Sequence, residues 1–242
     1  MIKDYQDAFG HGMLDYLNGA ASSEIVERDD GLISAYGGPG IYFLPYRNWP
    51  SIERKAMRFV RGRVLDIGCG AARHALYLQE KGHHVVGIDN SPLAIEVSKR
   101  RGLGDARVVA VSDIGPALGE FDTVLLLGGN SGLLGNPGRA RRLLRRLYSL
   151  TSRRGRIITT SGDPRTTNDA DHLAYHEANI AEGKMPGQMR IRVRYKRYAT
   201  PWIQFILVSR QHMEHILEGT GWGVKRYIDS DTSQYGAIIE KE

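Results

Sequence analysis

An apolar run that ends in an acid and then breaks into closely spaced glycines leaves a chain few folds to choose from. Residues 64–73, V-L-D-I-G-C-G-A-A-R, are such a run. Val64 and Leu65 lead into Asp66, and Gly68 and Gly70 then let the backbone turn sharply and approach a ligand closely. A helical pattern follows from Ala72. A second apolar stretch, Val85-Val86-Gly87-Ile88, closes on Asp89, nineteen positions after Gly70. An acid there lies within reach of a pair of ribose hydroxyls. Strand, glycine turn, helix, strand and terminal acid imply a parallel α/β sheet that binds an adenine nucleoside.

Two residues narrow the nucleoside. A dinucleotide loop must take a pyrophosphate at the helix N-terminus, where backbone amides and the helix dipole favour anions. Asp66, two residues before the first glycine, adds negative charge at that place. Arg73 stands where G-x-G-x-x-G has its third glycine. Both oppose a nicotinamide dinucleotide and suit a ligand that carries an ammonium and a sulfonium.

On these residues the chain resembles the class I S-adenosylmethionine-dependent methyltransferases. Asp66-Ile67-Gly68-Cys69-Gly70 is similar to their first motif, and Gly87-Ile88-Asp89-Asn90-Ser91 to the second, whose acid takes both ribose hydroxyls. Ser112-Asp113-Ile114 is similar to the third, where the Asp accepts the adenine amino group and the next amide addresses the ring. Phe121 to Leu127 resembles the fourth strand, with Gly128-Gly129-Asn130 at the cofactor edge. The resemblance implies S-adenosyl-L-methionine as cofactor and S-adenosyl-L-homocysteine as product. It implies cofactor contacts from Asp66, Gly68, Cys69, Gly70, Asp89, Asn90, Ser112, Asp113, Ile114, Gly128 and Asn130. Arg73 is a further candidate, toward the cofactor's carboxylate. It is close over residues 60–162, extends to 210–242 in strand and helix order, and leaves out 1–50 and 163–205.

The remaining pattern completes a Rossmann-like doubly wound seven-stranded mixed sheet. Strands are expected at 63–67, 85–89, 107–112, 123–127 and 156–161, with the last two at 223–228 and 236–240. Ser91-Pro92 and Asn136-Pro137 are caps followed by proline at the first helical position. Residues 1–60 form an arm rich in Tyr5, Phe9, Tyr16, Tyr36, Tyr42, Phe43, Tyr46 and Trp49, expected as a helical lid or as cover for the sheet. Residues 61–162 are the cofactor-binding core, 163–208 an inserted antiparallel β element after the fifth strand, and 209–242 the completion of the core sheet. Within the insert, 188–198 alternate Met189, Ile191, Val193 and Tyr195 with Arg190, Arg192, Arg194 and Lys196. That marks one buried face and one basic face. The basic row is expected as a solvated outer face that discourages edge pairing, with a grip on an acidic substrate as the alternative.

Composition bounds the rest. A chain of 242 residues can hold one full α/β core. It lacks an apolar run of membrane-spanning length, and its first residues lack the apolar stretch of a signal peptide, so a cytoplasmic location is expected. A single cysteine, Cys69, excludes an internal disulfide and a cysteine zinc cluster. It reads as a packing residue. The formal charge is +6, and eight arginines lie between Arg139 and Arg156. Leu143, Leu144, Leu147 and Leu150 there fall at core-facing helical spacing, which turns the arginines to solvent.

Methyl transfer from a sulfonium is an in-line displacement that asks mainly for position and a dry, polarised site. A general base is needed only for a protonated acceptor. The candidates for acceptor contact or proton removal are Asn130, Asp163, His172 and His176. The two histidines would share a helical face, but without further ligands no metal is expected. A small-molecule acceptor is the expected substrate. The fourth strand ends in Gly128-Gly129-Asn130-Ser131, not the Asn/Asp-Pro-Pro-aromatic motif of base amino-methylating enzymes. Cys69 lies in the cofactor turn and not where a ring-carbon methylator needs its nucleophile. The alternatives are an RNA or protein methyltransferase docking through arginine surfaces, and a non-catalytic cofactor-binding partner subunit.

Overall fold

The computed structural model describes residues 2–20, 22–35 and 37–242; Tyr36, one of the arm's aromatics, lies outside the described residues. In chain order the elements begin with α1 (Ala8–Leu17), β1 (Glu24–Arg28), β2 (Ile33–Ala35), α2 (Ser51–Ala56), β3 (Val64–Ile67), α3 (Arg73–Glu80) and β4 (Val85–Asp89). Next come α4 (Pro92–Arg100), β5 (Ala106–Val108), β6 (Phe121–Leu126), α5 (Pro137–Ser149), β7 (Thr151–Gly162) and α6 (Ala170–Ala181). The last are β8 (Gln188–Tyr195), β9 (Tyr198–Ala199), β10 (Ile203–Ile206), α7 (Arg210–Leu217), β11 (Trp222–Asp229) and β12 (Gln234–Lys241). Short 3-10 turns at Pro39–Phe43, Val111–Asp113 and Asn130–Leu134 bear on the site.

Seven strands form a mixed sheet in the order β11-β12-β7-β6-β3-β4-β5. β3–β4, β4–β5 and β6–β7 are parallel, while β12 runs antiparallel to both β7 and β11. This is the Rossmann-like doubly wound arrangement expected from the alternation of strands and helices. The central strands are buried on both faces: Val64, Leu65, Ile67, Val85, Val86, Ile88 and Val124 to Leu127 all lie in the core. Continuous apolar strands of this kind are what a parallel sheet covered by helices requires.

A second sheet has the order β10-β8-β1-β2, with β9 paired to β8. It corrects two expectations. The N-terminal arm is not helical alone, because β1 and β2 form a hairpin there. β8 is also not an outer strand with charges guarding an edge. β1 pairs with it antiparallel, from Glu24 opposite Tyr195 to Arg28 opposite Ile191. The basic row itself stays toward solvent, with Arg190 and Lys196 exposed and Arg192 and Arg194 half-buried, and three of its members are ion-paired. Glu27 accepts from Arg192 Nη2 at 2.7 Å and from Arg194 Nε at 2.6 Å, and Asp15 accepts from Lys196 Nζ at 2.6 Å. Hydrogen bonds from the two arginines hold the Glu27 carboxyl down to about 2. Acidic partners on β1 and α1, invisible in the local sequence, pair three of these charges, which leaves less for the alternative of an acidic substrate.

The chain divides into two compact units. The first comprises Met1–Trp49, Arg61–Ile114 and Ile191–Ile203; the second comprises Pro50–Val60, Gly115–Arg190 and Gln204–Glu242. In the first, Ser91 caps α4 by accepting from the Ala94 amide at 2.9 Å. In the second, Asn136 caps α5 by accepting from the Arg139 amide at 2.9 Å. Leu143, Leu144, Leu147 and Leu150 are buried, Trp222 Nε1 donates to the Leu144 carbonyl at 2.9 Å, and Arg139, Arg142 and Arg145 face solvent. Among the described residues no helix is long and apolar enough to cross a membrane.

Candidate functional site

The glycine turn is built to bend and to be held. Gly68 and Gly70 adopt φ of 70° and 53°, the left-handed region that favours glycine, and Ala72 follows at 63° before α3 begins. The amides of Gly68 and Cys69 both donate to the Ile88 carbonyl, at 2.8 and 3.0 Å. The Gly70 amide donates to Asp89 Oδ2 at 3.0 Å. From α4, Ser98 Oγ donates to the Gly70 carbonyl at 2.6 Å and the Arg101 guanidinium donates to the Ala71 carbonyl. Gly87 in β4 makes room for the turn, since a Cβ there would meet Cys69 Sγ at 3.0 Å and Leu103 at 2.8 Å.

Asp89 ends β4 and also accepts from the Ser91 amide at 3.0 Å. Burial pushes its carboxyl up to about 6, against the pull of the Ser91 and Gly70 amides and with a further push from Asp7 and Asp66. Asp66 is buried beneath the turn, at 2% exposure. Cys69 is buried too, and its thiol is raised by burial and by the Asp89 and Asp66 charges, so it stays protonated. Asn90, Ser112 and Asp113 are exposed and Ile114 is buried; Ser112 Oγ donates to Asp113 Oδ1 at 2.9 Å. The structure thus gathers the sequence-predicted residues of the first three motifs in one unit. Arg73 opens α3 with its guanidinium over the Trp49 ring, 5.6 Å from the centroid.

The arm supplies residues that sequence reasoning missed. Asp7 caps α1 by accepting from the Gly10 amide at 2.9 Å. Its other oxygen accepts from Ser91 Oγ at 2.8 Å and the Leu93 amide at 3.3 Å, at the start of α4. Met13 packs with Ala71, Ala94 and Val97, and a Cβ on Gly70 would touch its Cε at 3.4 Å. So α1 lies on the glycine turn. An Asp directly before the glycine-containing run that starts at Ala8 was the available signal for this helix start.

The acceptor-side candidates lie in the second unit. Gly128 is exposed, and Asn130, half-buried, begins the 3-10 turn after β6. Gly132 in that turn lies against Phe205 of β10, whose ring would come within 2.0 Å of a Cβ at Gly132. Gln204 Oε1 accepts from Asn136 Nδ2 at 2.8 Å, so the inserted strand clamps this loop at two points. Asp163 accepts from the Arg165 amide and guanidinium, both at 3.0 Å. Burial pushes its carboxyl up, but the Arg165 contacts override this and leave it below its ordinary value. His172 and His176 do share a face of α6, with His176 buried and His172 half-buried. Among the described residues no group of three or more His, Cys, Asp or Glu side chains is placed to hold a metal.

The turn's chemistry selects its ligand. Three of its amides are occupied by Ile88 and Asp89, and two acids lie at it. A pyrophosphate needs the opposite arrangement, amides turned outward and no carboxylate. A nucleoside with a ribose for Asp89 and a cationic tail near Asp66 fits this donor set.

A protein-family model described as a methyltransferase domain matches residues 64–155. The crystal structure of a SAM-dependent methyltransferase from Bacteroides fragilis in complex with S-adenosyl-L-homocysteine is similar over 100% of this chain and 97% of that one, with a TM-score of 0.85 and 26% identity. Over 72 residues the chain is 43% identical to the 2-heptyl-1-hydroxyquinolin-4(1H)-one methyltransferase of Mycobacteroides abscessus, covering 27% of this chain and 32% of that protein. Over 130 residues it is 31% identical to the tRNA (uracil(54)-C(5))-methyltransferase of Pyrococcus abyssi, covering 52% and 30%. The chain therefore matches about a third of the length of these curated relatives.

Proposed function

The chain belongs to the class I S-adenosylmethionine-dependent methyltransferases, and on that premise we propose that it transfers the methyl group to a small-molecule acceptor. When bound, the cofactor supplies a methyl group already activated on a sulfonium. The protein's task is then to bind, orient and exclude water. Asp89 would accept from the ribose hydroxyls, and Asp113 with the Ile114 amide would address the adenine. Asp66 and the backbone of Gly68 and Gly70 would receive the methionine portion. Asn90 and Ser112 would border the nucleoside. Asp163 is already engaged by Arg165, so it is the weaker base beside His172 and His176.

The observation that carries the choice of acceptor is the burial of Cys69. Methylation of a uracil ring carbon needs an accessible thiolate, and this thiol is enclosed, raised and the only one in the chain. The named relative that acts on a quinolone supports the small-molecule reading, as does the absence of a base-methylating motif after β6. The test is calorimetric titration with S-adenosylhomocysteine, beside NADH and ATP, followed by methyl transfer to a panel of aromatic hydroxyl and amine compounds and to bulk tRNA. Selective micromolar binding with turnover on the small molecules is expected. Turnover on tRNA alone would overturn the proposal.

A further inference from the structure

Glu24, at the start of β1, is fully buried, with 0% exposure. Its Oε2 accepts from the Tyr42 hydroxyl at 2.8 Å. Its Oε1 accepts no hydrogen bond among the described residues and lies directly under α1, where a Cβ on Gly12 would come within 2.7 Å. Of the titratable groups on the elements packed against it, Tyr195 stands opposite it on β8 and Tyr42 reaches it from the 3-10 turn, while on α1 His11 is paired with Asp4 and Asp15 with Lys196. Lys196 is committed to Asp15, which also accepts from the Tyr195 hydroxyl at 2.9 Å. An ionised Glu24 would thus be a buried anion with one hydroxyl for company, which is strongly disfavoured. Burial accordingly pushes its carboxyl up to about 7, against the pull of Tyr42.

The residue after Gly12 is Met13, which packs on the glycine turn. A carboxyl group beneath one residue of α1 and a cofactor turn beneath the next place the two in mechanical series. We propose that Glu24 must be protonated for α1 to seat on the glycine turn, so that its ionisation releases the helix and weakens cofactor binding. The coupling to binding rests on reading α1 as a cover of the cofactor site. The direction follows from linkage: a carboxyl raised in the seated state holds its proton while the released state loses it. Seating is therefore complete near pH 4.5 and is lost progressively up to about pH 7, above which it levels off.

The test follows amide hydrogen exchange over residues 8–17 of the full chain, corrected for intrinsic rates, between pH 5 and 8. Exchange in the wild type is expected to rise by up to about tenfold per pH unit to pH 7 and then level, while Glu24→Gln stays flat. S-adenosylhomocysteine affinity is measured on both proteins at the same pH values. Taking the ratio of the two affinities removes the opposite contribution of Asp89. The wild type is expected to lose affinity relative to Glu24→Gln across the same window. Equal pH dependence of exchange in the two proteins would overturn the proposal. Exchange that diverges while the affinity ratio stays constant would overturn the cover reading and the coupling to binding. Gly12→Ala, which crowds Oε1, is expected to exchange fast over residues 8–17 already at pH 5; wild-type protection there would also overturn the proposal.

Discussion

The Asp89 carboxylate fastens the glycine turn to the end of β4, taking the Gly70 amide on Oδ2 and the Ser91 amide on Oδ1, each at 3.0 Å. One side chain thus shapes the turn and, in the proposed site, would also offer the acid to the ribose. Asp89→Ala is expected to weaken S-adenosylhomocysteine binding by about 1–3 kcal/mol, the cost of removing a charged acceptor. Calorimetry on a variant with wild-type circular dichroism checks this, and unchanged affinity would remove Asp89 from the site.

The same residue sets a pH dependence. Burial raises the Asp89 carboxyl from 3.8 to about 6, so the folded chain holds a proton there that the unfolded chain has lost. Its stabilising contribution is complete below about pH 4 and falls as pH rises to about 6. Asp89→Asn should flatten that part of a urea-denaturation profile taken from pH 4 to 7. Cofactor affinity should move the other way, rising through pH 6 as the acceptor ionises.

Cys69 should behave as a small core residue. Its thiol is expected to resist a disulfide reagent at pH 8 in the native protein and to react fully in urea. Cys69→Ala should bind the cofactor as the wild type does and cost about 1 kcal/mol of stability. Rapid native labelling, or loss of methyl transfer in that variant, would restore a nucleophilic role.

Gly132 leaves room for the Phe205 ring and nothing more. Gly132→Ala is expected to destabilise the fold by about 1–3 kcal/mol through overpacking, measured by urea denaturation. Phe205→Ala in the same chain should recover part of that loss. Additive losses in the double variant would show that the ring is not what fills the place.

Arg139 and Arg142 face solvent on α5. Replacing both with Glu should leave stability within about 0.5 kcal/mol and small-molecule turnover unchanged. A steep, salt-dependent loss of tRNA binding in this variant would favour the docking alternative over a solvated face.

Legibility in the sequence followed locality. β4 and the Ser91 cap lie where the pattern placed them, because apolar runs and caps are decided by neighbours in the chain. The strand expected at 107–112 ends at Val108, since Ser112 and Asp113 bond to each other and the Asp113 amide turns back to the Ala110 carbonyl at 2.8 Å. Short polar side chains compete with a ladder in this way. The strand expected at 156–161 begins instead at Thr151, across a register irregularity in its pairing with β6 between Thr151 and Arg156, and a Cβ at Gly155 would come within 2.5 Å of Thr151. β1 was not foreseen at all. Glu27 is explained only by Arg192 and Arg194, far along the chain, and Glu24 by Tyr42, whereas Arg28 is held by Asp30 two positions away. The motifs were visible as a pattern, whereas Asp7, Met13 and Glu24 matter through hydrogen bonds and packing to residues remote in the chain.

The placement of β1 between β2 and β8 also fixes an order of events in synthesis. Its principal partner begins at residue 188, and the Glu27 links to Arg192 and Arg194 span 165 and 167 positions. A nascent chain therefore has the whole glycine turn, and both strands around it, available long before the arm has anything to complete its sheet. Such a long-range closure is slow and comes last. Ribosome-bound chains stalled before residue 188 should accordingly leave residues 24–35 open to protease, and those released past residue 195 should close them.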